Sequence, residues 1–323
     1  MKKKIATLLL VGTIIMSTGC GPVAKLKNGK EVAASIKGKK ITADDLYKEL
    51  KKQYGTNEMI NLIDDYIANK EIKTDNETKE YANSQLNQMK MQYQSSGQDF
   101  NAALTSAGYK NEDAFKEVLI LDYKKQKVVE KFLKKELTDE EIKKYYDNEI
   151  FGAMTAKHIL IKPDVADDAS DKEKEKAEKA AKKKAEELIE KLNNGEDFEK
   201  LAKKNSDDAG TKGKGGLFSD FEKDEVVTEF WDACMKLKDG EYTKEPVKSD
   251  YGYHVILRVS QKAKPKLKTV KDEIKDTLVE DKLNDDKNLS NKTWDRIRKE
   301  KYKLKISDSA LKNGYKDILN SIK

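Results

Sequence analysis

Two alternating, β-branched runs stand nearly a hundred residues apart in a chain that otherwise reads as charged helix: Ala156-Lys157-His158-Ile159-Leu160-Ile161 and Tyr251-Gly252-Tyr253-His254-Val255-Ile256. A strand leaves its backbone donors and acceptors unpaired until another strand lies beside it. A fold that satisfies both runs therefore joins two distant segments in one sheet and packs the intervening chain around it. Each run also carries one of the only two histidines in 323 residues. Because strand side chains alternate between faces, paired strands can present both rings to one surface, which becomes a candidate site.

The N-terminus reads as an export signal. Lys2-Lys3-Lys4, the apolar run Ile5 to Met16 and the small residues Ser17-Thr18-Gly19 have the right charge, length and ending, and the run is too short for a stable membrane helix. Cys20 follows directly and resembles the lipidated cysteine of the bacterial lipobox, although Ser17 stands where that motif usually has Leu. Residues 1–19 are thus expected to be a signal peptide and residues 20–30 a lipidated end and tether. Two acyl chains on Cys20 would hold the protein on the outer face of the cell membrane, where one chain gives only marginal binding. Lysine and arginine number 65 against 59 acids, and without Lys2, Lys3 and Lys4 the balance is 62 to 59. No nucleic-acid partner is implied by so even a charge. With Cys20 lipidated, Cys234 would be the one thiol left, so no internal disulfide is expected.

The rest divides by pattern. Residues 31–40 read as a small hairpin turning at Lys37-Gly38-Lys39, and Thr42-Ala43-Asp44-Asp45 as a capping box that opens a helix. Met59, Ile60, Ile63 and Ile67, then Phe115, Val118, Leu119, Val129, Phe132 and Leu133, recur at helical spacing, and Thr138 to Glu141 begins another helix. Residues 31–150 are therefore expected to be helical. Residues 151–262 mix the two His-bearing strands with a helix over Asp171 to Lys191 stopped by Gly195, a short helix at Phe198-Leu201-Ala202, a glycine-rich loop from Gly210 to Gly216 and a helix around Phe230 to Leu237. That interleaving is α+β. Residues 263–323 turn helical again through Ile274, Leu278, Leu283, Trp294 and Ile297, with too little core to stand alone. The expected architecture is an α+β domain inserted in a split, mainly helical domain.

The middle segment is similar to the parvulin class of peptidyl-prolyl cis-trans isomerases. The pieces that carry the likeness are Ala156-Lys157-His158-Ile159-Leu160, Phe198 to Ala202, Ser206-Asp207-Asp208, Lys214-Gly215-Gly216, Phe230, Leu237 to Glu241, and Pro246-Val247 leading to Tyr251 through Ile256. The whole chain resembles the PrsA-type foldase lipoproteins of Gram-positive bacteria, in which a parvulin domain interrupts a helical chaperone domain. The resemblance implies His158, Asp208 and His254 as catalytic residues and Phe218, Phe221, Val226 and Phe230 as the wall that receives the substrate proline. It also implies unfolded or newly exported proteins containing X-Pro as partners, and no cofactor. The chain departs from the family at Leu217-Phe218-Ser219, where Asp-Leu-Gly is usual. That departure keeps a second expectation open, a holdase chaperone with a degenerate parvulin domain. No CxxC or HExxH spacing points to a metal, and the loop at Gly213 to Gly216 lacks the GK[ST] ending of a phosphate loop. Homodimerisation is left open, since the amphipathic helices could pair between chains or pack within one.

Overall fold

A computed structural model describes residues 31–166 and 168–321. The signal peptide and Cys20 lie outside the described residues. The chain forms two compact units, one made of residues up to Leu137 together with Lys275 onward, the other of Thr138–Ile274. The second is therefore inserted in the first.

The discontinuous unit opens with an antiparallel hairpin, β1 (Val32–Ile36) and β2 (Lys39–Thr42), in which Gly38 takes the left-handed backbone (φ 88°) that the tight turn requires. Thr42 and Asp45 then form the expected capping box, and α1 (Ala43–Glu71) follows. Next come α2 (Asn76–Ser95), α3 (Phe100–Ser106) and α4 (Glu112–Glu136), each capped by the side chain of Asp75, Asp99 or Asn111 accepting a backbone N–H.

In the inserted unit, α5 (Asp139–Glu149) leads to β3 (Met154–Ile161), α6 (Asp171–Asn193), α7 (Phe198–Asn205), β4 (Leu217–Phe221), α8 (Thr228–Lys236), β5 (Val247–Ser249) and β6 (Gly252–Gln261). The strands make one antiparallel sheet in the order β4-β3-β6-β5. The side-chain alternation of β3 and β6 sorts the core into two layers. Ile159, Ile161, Tyr253 and Val255 face Ala185, Leu188 and Ile189 of α6 and Leu201 of α7. Met154, Ala156 and Ile256 face Phe230, Trp231 and Cys234 of α8. The Ala, Glu and Lys residues of α6 are strong helix formers, so that helix needs only a narrow apolar stripe to dock.

The inserted unit is wider than residues 151–262 because both its ends are clasped. The Tyr146 hydroxyl donates to the Pro265 carbonyl at 2.7 Å, Lys264 Nζ to the Asp147 carbonyl at 3.3 Å, and Lys271 pairs with Asp139 at 2.8 Å. The boundary falls inside α9 (Leu267–Asp285), after which α10 (Leu289–Arg296), a π-turn (Ile297–Lys301) and α11 (Ser309–Ser321) complete the first unit. Val279, Trp294 and Ile297 share a core with Ile67 and Ala68 of α1 and Val128, Val129 and Leu133 of α4, so the tail does pack on the N-terminal helices. A buried ion pair fastens it: Arg298 Nε and Nη2 meet Asp64 Oδ1 and Oδ2 at 2.7 and 2.5 Å. The two-pronged contact with Asp64 holds the Arg298 guanidinium more firmly protonated than usual, against the cost of burial.

Candidate active site

β3 and β6 pair so that His158 lies opposite Ile256 and Leu160 opposite His254. The two histidines are therefore diagonal neighbours on one face, their rings stacked at 5.6 Å with only 22° between planes. Both are buried, His158 to 8% exposure and His254 to 5%. Asp208 reaches them through the turn after α7. Ser206, fully buried, accepts the Leu160 N–H at its hydroxyl, Asp207 N–H donates to the Leu160 carbonyl at 2.7 Å, and Asp207 Oδ2 accepts the Lys162 N–H. That docking of 206–208 on the end of β3 sets Asp208 Oδ2 at 2.9 Å from His158 Nε2.

The hydrogen bonds form a directed array. A carboxylate only accepts, so His158 Nε2 carries a proton and donates it to Asp208. His158 Nδ1 is then an acceptor, and His254 Nδ1, 3.4 Å away, is the donor to it. His254 Nε2 in turn accepts from the Ser249 hydroxyl at 2.7 Å, whose oxygen accepts the Tyr251 N–H at 3.1 Å. Every polar atom is satisfied with both imidazoles neutral. A second proton on His158, at Nδ1, would set its N–H against that of His254. Burial pushes both rings the same way: it lowers the pKa of His158, opposed by Asp208, and lowers that of His254 to about 4, with His158 adding to the effect. For Asp208, burial alone would raise the pKa, but hydrogen bonds from the Thr211 hydroxyl, the Gly210 N–H and His158 outweigh it and hold the carboxyl below its ordinary range.

Phe230 from α8 stands nearly perpendicular to both rings, 5.4 Å from His158 and 5.6 Å from His254. It is only 4% exposed, so it can offer a bound ring little more than an edge. Phe218 and Val226 are half-buried beside it and supply accessible apolar surface. Phe221 differs: at 1% exposure it lies beneath Phe218, stacked at 4.8 Å, and braces that ring and Phe230. Leu217-Phe218-Ser219, which departs from the family pattern, forms part of β4 and pairs with β3 through Lys157–Leu217 and Ala156–Phe218. Gly216 just before it has φ 83°, and a Cβ there would lie 2.3 Å from the His158 carbonyl. Only glycine lets the loop cross the backbone of His158 so closely.

Two side chains bonded into the array, Thr211 and Ser249, were not assigned a role from sequence. Thr211 sits in a glycine-rich loop and Ser249 at the end of a three-residue edge strand, and neither hydroxyl is marked by its neighbours. Cys234 stays apart as a core thiol, its pKa pushed up to about 12 by burial. Among the described residues no group of three or more His, Cys, Asp or Glu side chains is placed to hold a metal.

A family model for the PPIC-type peptidyl-prolyl isomerase domain matches residues 140–263. Foldase protein PrsA 4 of Bacillus cereus is 31% identical over 98% of this chain and 98% of its own length. The chain belongs to the PrsA foldase family. Foldase protein PrsA of Geobacillus kaustophilus is also 31% identical, over 88% of each chain. A crystal structure of foldase protein PrsA from Streptococcus pneumoniae superposes with a TM-score of 0.52 at 21% identity, covering 88% of this chain and 98% of that one, a likeness of fold. As in other PrsA foldases, the enzyme class is that of a parvulin-type peptidyl-prolyl isomerase, and the domain that carries it is the α+β insertion described above.

Proposed function

We propose that the chain is a membrane-anchored extracytoplasmic foldase that isomerises X-Pro bonds in newly exported proteins at His158, Asp208 and His254. The observation that carries this reading is the directed array from Ser249 to Asp208, with Phe230 against both rings. Rotation about X-Pro passes through a twisted amide over a barrier of roughly 18–20 kcal/mol, with no covalent bond broken. The planar amide places partial negative charge on its carbonyl oxygen, and twisting removes it. An ionised Asp208 held beside that oxygen disfavours the planar form more than the twisted one, which lowers the barrier. A proline ring against Phe218, Val226 and the edge of Phe230 keeps water from the amide. The histidines fix and desolvate Asp208; neither needs to gain or lose a proton.

Cys20 supplies the anchor in this reading. Among the described residues no helix is long and apolar enough to cross a membrane, so a lipidated Cys20 would be the means of attachment. A holding activity is favoured by a separate observation: Tyr47, Tyr54, Leu62, Tyr66 and Met91 of the discontinuous unit are exposed, apolar surface that unfolded segments could use.

The test is a proline-tetrapeptide isomerisation assay on the full mature chain, with Asp208→Ala and His254→Ala alongside. Activity that is level from about pH 6.5 to 8 and falls by at least 10-fold in Asp208→Ala is expected. A wild-type chain that suppresses aggregation of an unfolded client without accelerating isomerisation selects the holdase instead.

A further inference from the structure

We propose that Thr211 is a positioning residue for the isomerase reaction, its hydroxyl deciding which Asp208 oxygen is tied to the imidazoles and which is left toward the client. This rests on reading the site as an isomerase centre.

The Thr211 hydroxyl donates to Asp208 Oδ2, the same oxygen that accepts from His158, and lies 3.0 Å from His158 Nε2. Oδ2 therefore has both of its in-plane lone pairs engaged. Among the described residues Oδ1 accepts only the Gly210 N–H, at 3.1 Å, which leaves it a lone pair on a carboxylate that is partly open to solvent. Without the hydroxyl the carboxylate could rotate and exchange its oxygens.

The backbone of Thr211 does a second job. Its carbonyl accepts the N–H groups of Lys214 and Gly216, both at 2.9 Å, and the Gly216 carbonyl accepts the N–H of His158, also at 2.9 Å. One residue thus ties the loop to β3 at the histidine while its side chain holds the carboxylate that the histidine meets. Loop path and carboxylate orientation are thereby set together at one residue. The titratable groups that bear on this contact are His158 on β3, His254 one ring further on β6, and Asp208 itself. The Lys157–Glu199 pair between β3 and α7, N to O 2.5 Å, adjoins Gly215 and is internally neutral.

The experiment compares full-length wild type, Thr211→Val, which keeps the shape and removes the hydroxyl, and Thr211→Ser, which restores it. The chain has two histidines only, so uniform ¹⁵N-histidine labelling gives two ring systems whose proton uptake can be followed by NMR without reference to activity. Losing a donor to a carboxylate makes the His158–Asp208 pair take up its proton more readily, wherever within the pair it resides. Expected in Thr211→Val are a rise of about one pH unit in the midpoint seen at His158, an equal upward move of the acid limb of kcat/KM, and roughly a 10-fold lower kcat with KM little changed. Thr211→Ser should match wild type in all three. A His158 midpoint that does not move in Thr211→Val, or a kcat loss that serine fails to rescue while the thermal melt is unchanged, overturns the proposal. If wild type shows no isomerisation, the isomerase reading itself fails, and the nitrogen titration still decides whether Thr211 governs Asp208.

Discussion

Acid should loosen the inserted unit before it touches the other one, and His254 sets the amount. Its pKa falls from an ordinary 6.5 to about 4 on folding because burial and His158 both penalise the charged ring. The folded state then binds fewer protons than the unfolded state between those two values, so stability rises with pH across that window and is lost as pH falls through it. At 1.36 kcal/mol per pH unit the loss from His254 alone is about 3 kcal/mol between pH 6.5 and 4. His158 shifts in the same direction and adds to it, while the depressed carboxyl of Asp208 adds a loss only in stronger acid. Trp231 lies in the core of the inserted unit and Trp294 in that of the other, and they are the only two tryptophans. Urea unfolding followed by fluorescence in a Trp294→Phe background therefore reads the inserted unit by itself. The measurement is repeated from pH 7.5 to 4 with and without His254→Gln, which cannot titrate. The difference between the two curves should steepen below pH 6.5 and approach about 3 kcal/mol. A difference that stays flat, or that shows wild type gaining stability in acid, refutes the neutral-imidazole array.

Asp64→Ala leaves Arg298 buried without its partner and should cost the discontinuous unit about 3–5 kcal/mol by urea unfolding with Trp294 fluorescence, whereas Asp64→Leu with Arg298→Met should recover most of the loss. Phe221→Ala should cost about 3–5 kcal/mol as a cavity in the inserted core. Phe218→Ala should cost less than about 2 kcal/mol, its ring being half-exposed, and should instead raise KM in the tetrapeptide assay.

The pairing of the two histidine strands was legible because their alternation has a period that only a sheet accommodates. The capping boxes at Thr42 and Thr138 were legible because their partners lie three residues away. The burial of Phe221 was not legible, for a local reason. In a regular strand Phe218 and Phe221 would point to opposite faces, but Asp220 adopts a left-handed backbone (φ 55°) and the β3–β4 register shifts between Met154 and Ala156. The ring consequently turns inward beneath its neighbour. Thr211 and Ser249 were invisible because their roles depend on the path of a loop and on a short edge strand, and nothing in their flanking residues distinguishes them. The Asp64–Arg298 pair joins residues 234 positions apart, a contact no spacing rule reaches.

The clasp between α5 and the start of α9 changes the order in which the chain can assemble. As the polypeptide emerges, every partner of the insertion has appeared once residue 274 is out, whereas α1 and α4 must wait for Trp294 and Arg298. Closing a loop costs more the longer it is, and here the gap is more than a hundred residues of free chain. Once the Tyr146–Pro265 and Lys271–Asp139 contacts have formed, the two exits of the insertion are neighbours, and that gap shrinks to a few residues of slack. The clasp thus shortens the loop that the discontinuous unit has to close.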